Sequence, residues 1–472
     1  MRLLTCTFLV FTITIHVSAQ SRQQRKVDSA FQQVVKYFNQ KNADAIYNMA
    51  GAGFQNEISI DAFSKVANNQ LFQLGRIKET SLISFVNNSV ATYKLSLDSA
   101  TLQLLVSLDE RDRLSLFLFQ TYQPPAADKT ALVATSNPMR TNADKEIDAI
   151  ARKYIQKANT VGVIIGIIKN GNTSIYSYGE TTKRNGKLPN ENTFFEIGSI
   201  TETFTTTLLA WYVNQGTVRL TDPITQYLPD SVAANPALKG VTLLNLSNHT
   251  SGLARLPDNL EHNASDPLNP YKDYTKQLLY SYLKTCKPES KPGQKYVYSN
   301  LAIGLLGSIL EEVNHQPFEQ MVHDVICKPL NMFSTTQYLS PMLVPRFAQV
   351  YNTAGAPTEP WNFDVLAPCG ALRSTMNDML IFAKANMYPT ATELSKALQL
   401  THKITFNNDV KIGLGWHVIV ADNVEYYFHN GGTNGSSSFF AFNADKNIAV
   451  VVLSNAVEST DNLGAAILRR VR

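Results

Sequence analysis

Apolar residues recur with two different periods along this chain, and the change of period divides it into predicted elements. In VDSAFQQVVKYFNQKN, residues 27–42, Phe31, Val34, Val35 and Phe38 fall three and four positions apart. That spacing places them on one face of a helix. A second helical stretch, SIDAFSKVANNQL, follows. The period then drops to two. TSLISFVNNSVATYKLSL, ATLQLLVSLDE and RLSLFLFQTYQ alternate as half-buried strands do, with turns at Asn87-Asn88 and across Asp109–Asp112. Two helices followed by antiparallel strands predict a small α+β unit over residues 23–121, a curved sheet with helices on one side.

Residues 122–142 carry Pro124, Pro125 and Pro138 among small and polar residues and read as a linker. From 143 the pattern resumes. KEIDAIARKYIQKA is an amphipathic helix, and VGVIIGIIKNGNTSIYSYGE is a hairpin turning at Asn170-Gly171. A helix with Phe204, Leu208 and Tyr212 on one face comes next, then a mostly helical region to about residue 400. The end returns to strands: IGLGWHVIVAD, VEYYFHNGG, SSSFFAFNAD and NIAVVVLSNA. Strands at both ends of 143–472 predict one sheet built from both, plus a helical lobe, in a mixed α+β fold.

Composition narrows the classes. With 472 residues, 44% hydrophobic and 17% charged, the chain suits a globular protein with a sizeable core. Its net charge of +4 gives no reason to expect a nucleic-acid partner. Arg2, the apolar run Leu3–Val17 and the small residues Ser18 and Ala19 read as a signal peptide over 1–19, hence a soluble protein exported to the periplasm or medium. No later stretch has eighteen consecutive apolar residues, so no spanning helix is expected. Beyond the signal stand Cys286, Cys327 and Cys369, an odd number at wide spacing, which implies no disulfide framework and leaves one bridge open. The histidines show no close ligand spacing, and His-Glu-x-x-His, Gly-x-Ser-x-Gly and the phosphate-cradling loop are all absent. No metal or cofactor is therefore expected.

The stretch FFEIGSITETFTTTLLAWY sharpens the question of function. Ser199 and Glu202 match a helix capping box, and such boxes are common. A serine opening a buried helix beside an ionisable group is also a candidate nucleophile.

Other fragments bear on this choice. FEIGSIT holds Ser199, PGQKYVYSNLAIGLLG holds Tyr298, Ser299 and Asn300, and FHNGGTNG holds His429, Asn430 and Gly431. LTDPITQYLP, NLSNHTSGL, PCGALRST and GLGWHV fall between them. In this order, across residues 145–456, the fragments resemble the serine β-lactamase and penicillin-binding family in its class C and D-alanyl carboxypeptidase/esterase branch. The resemblance implies a β-lactamase/transpeptidase-like antiparallel sheet flanked by helices. The unit over 23–121 resembles, by architecture, the cone-shaped α+β domains of cystatin or nuclear-transport-factor type.

The resemblance implies Ser199 as nucleophile and Tyr298 as the base that takes its proton once nearby cations lower the phenol's pKa. It implies that Asn300 donates to a substrate amide while also being placed to cap its helix. The backbone beyond His429, around Gly431 and Gly432, would complete an oxyanion hole with the N–H of Ser199. One position departs from the family: where it has lysine three residues after the serine, this chain has Glu202. An anion there would raise the pKa of Tyr298 against its role as base and opposes both the alkoxide and a substrate carboxylate, yet a carboxylate lifted by burial can itself be a general base. Three functions follow. The first is a serine hydrolase acting on an amide or ester of a small-molecule or peptide substrate. The second is a silent binding protein for cell-wall peptides or a protein partner. The third makes the N-terminal unit a docking module. The residues do not specify an oligomeric state.

Overall fold

The computed structural model describes residues 22–86, 90–109, 111–122, 129, 132–260, 263–266 and 268–471. The signal-peptide stretch and the Asn87-Asn88 turn lie outside them. The chain divides into two compact units, Met1–Pro124 and Pro125–Arg472.

In the first unit the helix α1 (Arg22–Asn39) buries Val27, Phe31, Val34 and Phe38, the face that the apolar spacing predicts. It packs on a four-stranded antiparallel meander of β1 (Ile77–Val86), β2 (Val90–Leu97), β3 (Thr101–Leu108) and β4 (Leu114–Thr121). The Phe31 ring stacks on Tyr93 of β2, with centroids 3.6 Å apart. Alternation along β2 puts Ala91, Tyr93, Leu95 and Leu97 inward. Two further helices, Ala43–Tyr47 and Ala52–Glu57, are too short for a period to reveal. The SIDAFSKVANNQL stretch is α-helical only over Ile60–Val66 and continues as a wider π turn, Ala67–Leu71.

The second unit opens with α2 (Asn142–Ile155), capped by a box of Thr141 and Asp144. Residues just before it, expected as linker, pack into this unit. Thr135 bridges to Tyr178, and the Asn137 amide donates to the Tyr178 hydroxyl at 2.9 Å. The hairpin of β5 (Gly162–Lys169) and β6 (Asn172–Gly179) turns through Asn170 and Gly171, both with positive φ, the turn that matches strand twist. After β7 (Phe194–Glu196) come α3 (Thr201–Asn214), α4 (Asn300–Asn314), β8 (Arg373–Thr375) and α5 (Met376–Met387). The chain then returns to the sheet through β9 (Phe406–Asn407), β10 (Lys411–Ile412), β11 (His417–Ala421), β12 (Val424–Gly432), β13 (Ser437–Asn443) and β14 (Ile448–Ser454). It ends in α6 (Asp461–Val471).

The eight strands run in the order β6-β5-β14-β13-β12-β11-β10-β9, all neighbours antiparallel. The first hairpin of the unit thus pairs with its last strand. On one face α2 and α6 bury Ile147, Ala151, Ile467 and Leu468 against Val163, Val450 and Val452. On the other, α3, α4 and α5 form the larger core, where Phe204 stacks on Phe382 at 4.2 Å. With both faces covered, β14 is buried along its whole length and shows no alternation. Cys286, Cys327 and Cys369 are buried free thiols. No helix among the described residues is long and apolar enough to cross a membrane.

Candidate active site

Between β7 and α3 the chain makes a tight 3-10 turn, Gly198–Ile200, with Ser199 half-exposed at its centre. Gly198 has φ +50, and a Cβ there would stand 2.7 Å from the nitrogen of Gly432. A Cβ on Gly431 would stand 2.1 Å from the Ile197 carbonyl oxygen and 2.9 Å from the Ser199 nitrogen. Only glycines allow this backbone-to-backbone approach, which brings the main-chain nitrogens of Ser199 and Gly432 into one neighbourhood. The Ser438 hydroxyl pins the turn by donating to the Ile197 carbonyl at 2.8 Å. The expected capping box does not form. Helix α3 starts beyond Ser199, with Ile200 at the cap position and no side-chain cap bond, because Ser199 belongs to the turn and Glu202 is engaged elsewhere.

Tyr298 lies on the loop before α4. Ser299 caps that helix, accepting from the Ala302 N–H at 2.9 Å, so the expected cap at Asn300 moves one residue back. Asn300 donates from Nδ2 to the Tyr271 hydroxyl at 3.1 Å, while its buried Oδ1 has no partner. The open atom is therefore an acceptor, not the amide donor anticipated. Ser199 neighbours the Tyr298 phenol. The phenol in turn donates to Glu202 Oε1 at 2.5 Å. The Arg255 guanidinium lies over the Tyr298 ring, 4.9 Å from its centroid. Burial and the Glu202 charge push the Tyr298 phenol well above its usual pKa, against the smaller pull of Arg255 and Ser199. The lowering expected of a tyrosine base does not occur.

Glu202 is fully buried. Its Oε2 lies 3.1 Å from Nε2 of His249 and 3.4 Å from Nε2 of His429, both also buried. These nitrogens are not aligned on Oε2 as directed hydrogen bonds. The distances are nonetheless those of close charge contacts, and they govern the electrostatics. Burial alone would raise the Glu202 carboxyl, but the two imidazoles outweigh it and hold the pKa at about 2. The upward shift anticipated from partial burial is thus reversed. His417 on β11 completes the group. Its ring centroid is 5.3 Å from that of His429, and its Nε2 is 2.7 Å from the Tyr296 hydroxyl. Burial, then the neighbouring imidazoles, push the His417 pKa well below its usual value. Neither oxygen of Glu202 is exposed, so the carboxylate is not presented to an incoming ligand. Among the described residues no cluster is arranged to hold a metal ion.

Compared with known proteins, residues 147–471 match the family model described as Beta-lactamase. The chain belongs to the β-lactamase family. Similar family members include a β-lactamase of Pseudomonas fluorescens, 29% identical over 59% of this chain and 75% of that protein. The D-alanyl-D-alanine-carboxypeptidase/endopeptidase AmpH of Escherichia coli K12 is 28% identical over 65% of this chain and 82% of its own. Among solved structures, a β-lactamase/D-alanine carboxypeptidase from Pseudomonas syringae superposes with a TM-score of 0.61 at 26% identity, covering 70% of this chain and 98% of the other.

Within this β-lactamase fold, Ser199, Glu202, Tyr298, His429, Gly431 and Gly432 converge on one place, and Asn300 stands two residues from Tyr298 with its amide turned toward Tyr271. Sequence reasoning gave no role to His249, His417 or Arg255. A signal for the first two was present: of only eight histidines in the chain, two lie in the family-like fragments NLSNHTSGL and GLGWHV.

Proposed function

We propose that this chain is an exported serine hydrolase that opens an amide or ester bond of a small-molecule or peptide substrate through an acyl-enzyme on Ser199, with Glu202 where the family carries lysine. The observation that carries this reading is the Tyr298 phenol, which neighbours Ser199 and donates to Glu202 Oε1. Ser199 Oγ attacks the carbonyl carbon, its proton passes to the Tyr298 oxygen, and the phenol's own proton passes to Glu202. Tyrosine thus relays without becoming a phenolate, as its raised pKa requires. Transfer to a carboxylate of such low proton affinity is uphill unless the new C–O bond forms with it, so attack and proton loss are concerted. The carbonyl oxygen accepts from the N–H groups of Ser199 and Gly432, each such donor worth about 3 kcal/mol in the transition state. The positive end of α3 favours the same charge. The proton returns along the path to the leaving group, and water repeats the sequence to free Ser199. Export is supported by the basic and apolar pattern of residues 2–19.

The test is covalent. A fluorophosphonate adds one adduct to the wild-type protein by intact mass, mapped to Ser199, and Ser199→Ala gives none. A wild type left unmodified under conditions that label another family hydrolase refutes the reading.

A further inference from the structure

Glu202 faces two imidazoles, and the other nitrogen of each ring reveals where its protons sit. On His249, Nδ1 is 3.1 Å from the Ser299 backbone N–H, a group that can only donate. Nδ1 therefore bears the lone pair, and the proton of the neutral ring is on Nε2, toward Glu202. On His429 the situation is opposite. Nδ1 is 2.8 Å from the Asn430 carbonyl oxygen, which can only accept, so Nδ1 bears a proton. Nε2 then stands 3.4 Å from Glu202 Oε2. A lone pair there would oppose a carboxylate lone pair in a buried site, so a proton must lie between them.

We infer that His429 is an imidazolium that supplies the site's positive charge, and that His249 is a neutral positioning residue that holds Glu202 with Oε1 turned to Tyr298. The titratable and charged groups of this cluster come from several elements. Glu202 comes from α3, His249 from the loop after Ser247, and Arg255 from beyond it. Tyr296 and Tyr298 come from the loop before α4, His417 from β11 and Asp461 from α6. Of these only Glu202 and Asp461 can be anionic, and Asp461 is bonded to the Asn430 amide. His249 is also built for placement. It sits in the left-handed region at φ +58, and its carbonyl accepts from the Val297 N–H at 2.8 Å. Two hydrogen bonds from one strained residue thus fix the loop that carries Tyr298.

Nitrogen-15 NMR of the full chain, labelled at histidine, tests the inference without needing a substrate. At neutral pH both His429 nitrogens should carry protons, and His249 should carry one, on Nε2. His429→Gln and His249→Gln assign the signals, and through-bond correlation in the wild type replaces them if either variant fails to fold. Glu202→Gln should return His429 to the neutral Nδ1–H form. A neutral His429 in the wild type, or a doubly protonated His249, overturns the inference. The positioning role rests on the hydrolase reading and is measured as the phosphonylation rate of Ser199. His249→Ala should slow it at least tenfold, while His249→Gln, which keeps a donor toward Oε2, should retain most of it. Both variants slowing alike, in step with lost thermal stability, would reduce His249 to a structural residue. Absence of any adduct alongside a doubly protonated His429 would refute the hydrolase and the positioning role, but not the charge assignment.

Discussion

The cores of the two units are built on different terms. In the first, α1 lays Phe31, Val34 and Phe38 on the meander, and the contacts are apolar and aromatic. In the second, beneath Ser199, the buried side chains include Glu202, His249 and His429. Burying hydrocarbon is favourable at each position separately, so the first core follows from the spacing of individual residues. Burying an ion costs several kcal/mol unless a partner offsets it, so the second core exists only as a set. A core of the first kind degrades by increments. One of the second kind fails when a single member changes sign.

Changing that sign should give the largest effect. Glu202→Lys places a cation between His249 and His429, and it should destabilise the second unit by about 3–5 kcal/mol, as breaking buried pairs does. It should not restore activity, although the family resemblance implies a lysine at this position. Phe38→Ala should cost the first unit a similar ~3–5 kcal/mol, but through a cavity. Denaturant unfolding at pH 7 and pH 5 separates the mechanisms: the Phe38→Ala cost should not vary with pH. A Glu202→Lys protein as stable as wild type would remove the contrast between the cores.

Glu202→Gln is milder. It keeps the volume and removes the charge. Hydrolysis or phosphonylation should fall roughly a hundredfold, equivalent to about 2.7 kcal/mol on the barrier. A Gln variant as fast as wild type would end the role of Glu202 as proton acceptor.

The pH dependence of folding sharpens the comparison. Because the Glu202 pKa is about 2 in the fold and about 4.3 in an unfolded chain, its contribution is complete above pH ~4.3. It is lost as pH falls toward 2, about 3 kcal/mol in all. Glu202→Gln should abolish that part of the acid sensitivity. His402 acts at a higher window: burial lowers it to about 4, so the unfolded chain takes up its proton first. Stability should already decline below pH ~6.5. Stability curves between pH 7 and 3 that coincide for wild type and Glu202→Gln would contradict the Glu202 assignment. The smallest effect is expected at Ser299→Ala, where loss of the α4 cap should cost about 1 kcal/mol by thermal unfolding.

These contrasts also explain what could be read from the sequence. Period and turn residues anticipate α1, the meander and the β5–β6 hairpin, because each depends on neighbours in sequence. Ser199, Tyr298, His429 and Gly432 were legible because their fragments keep the family's order. The capping box was misread because helical spacing does not say where the first turn begins, and the 3-10 turn takes Ser199 out of α3. Missing, too, was the partner that reverses the Glu202 pKa shift. His249 lies far from Glu202 in sequence and meets it only because α3 and the Tyr298 loop pack together. Residues 132–141 look like linker by composition, and their pairing with β6 depends on an edge that composition cannot show.

The glycine contact at the Ser199 turn has one more consequence. The point where the nitrogens of Ser199 and Gly432 meet is framed by main chain, with Gly198 and Gly431 excluding any side chain. A peptide N–H has no protonation equilibrium in the working range and no side chain to exchange. That flank of the site keeps a fixed polarity at every pH and in almost every descendant sequence. Adaptation to new conditions must therefore be written on the opposite flank, in the identities and proton counts of Glu202, His249 and His429.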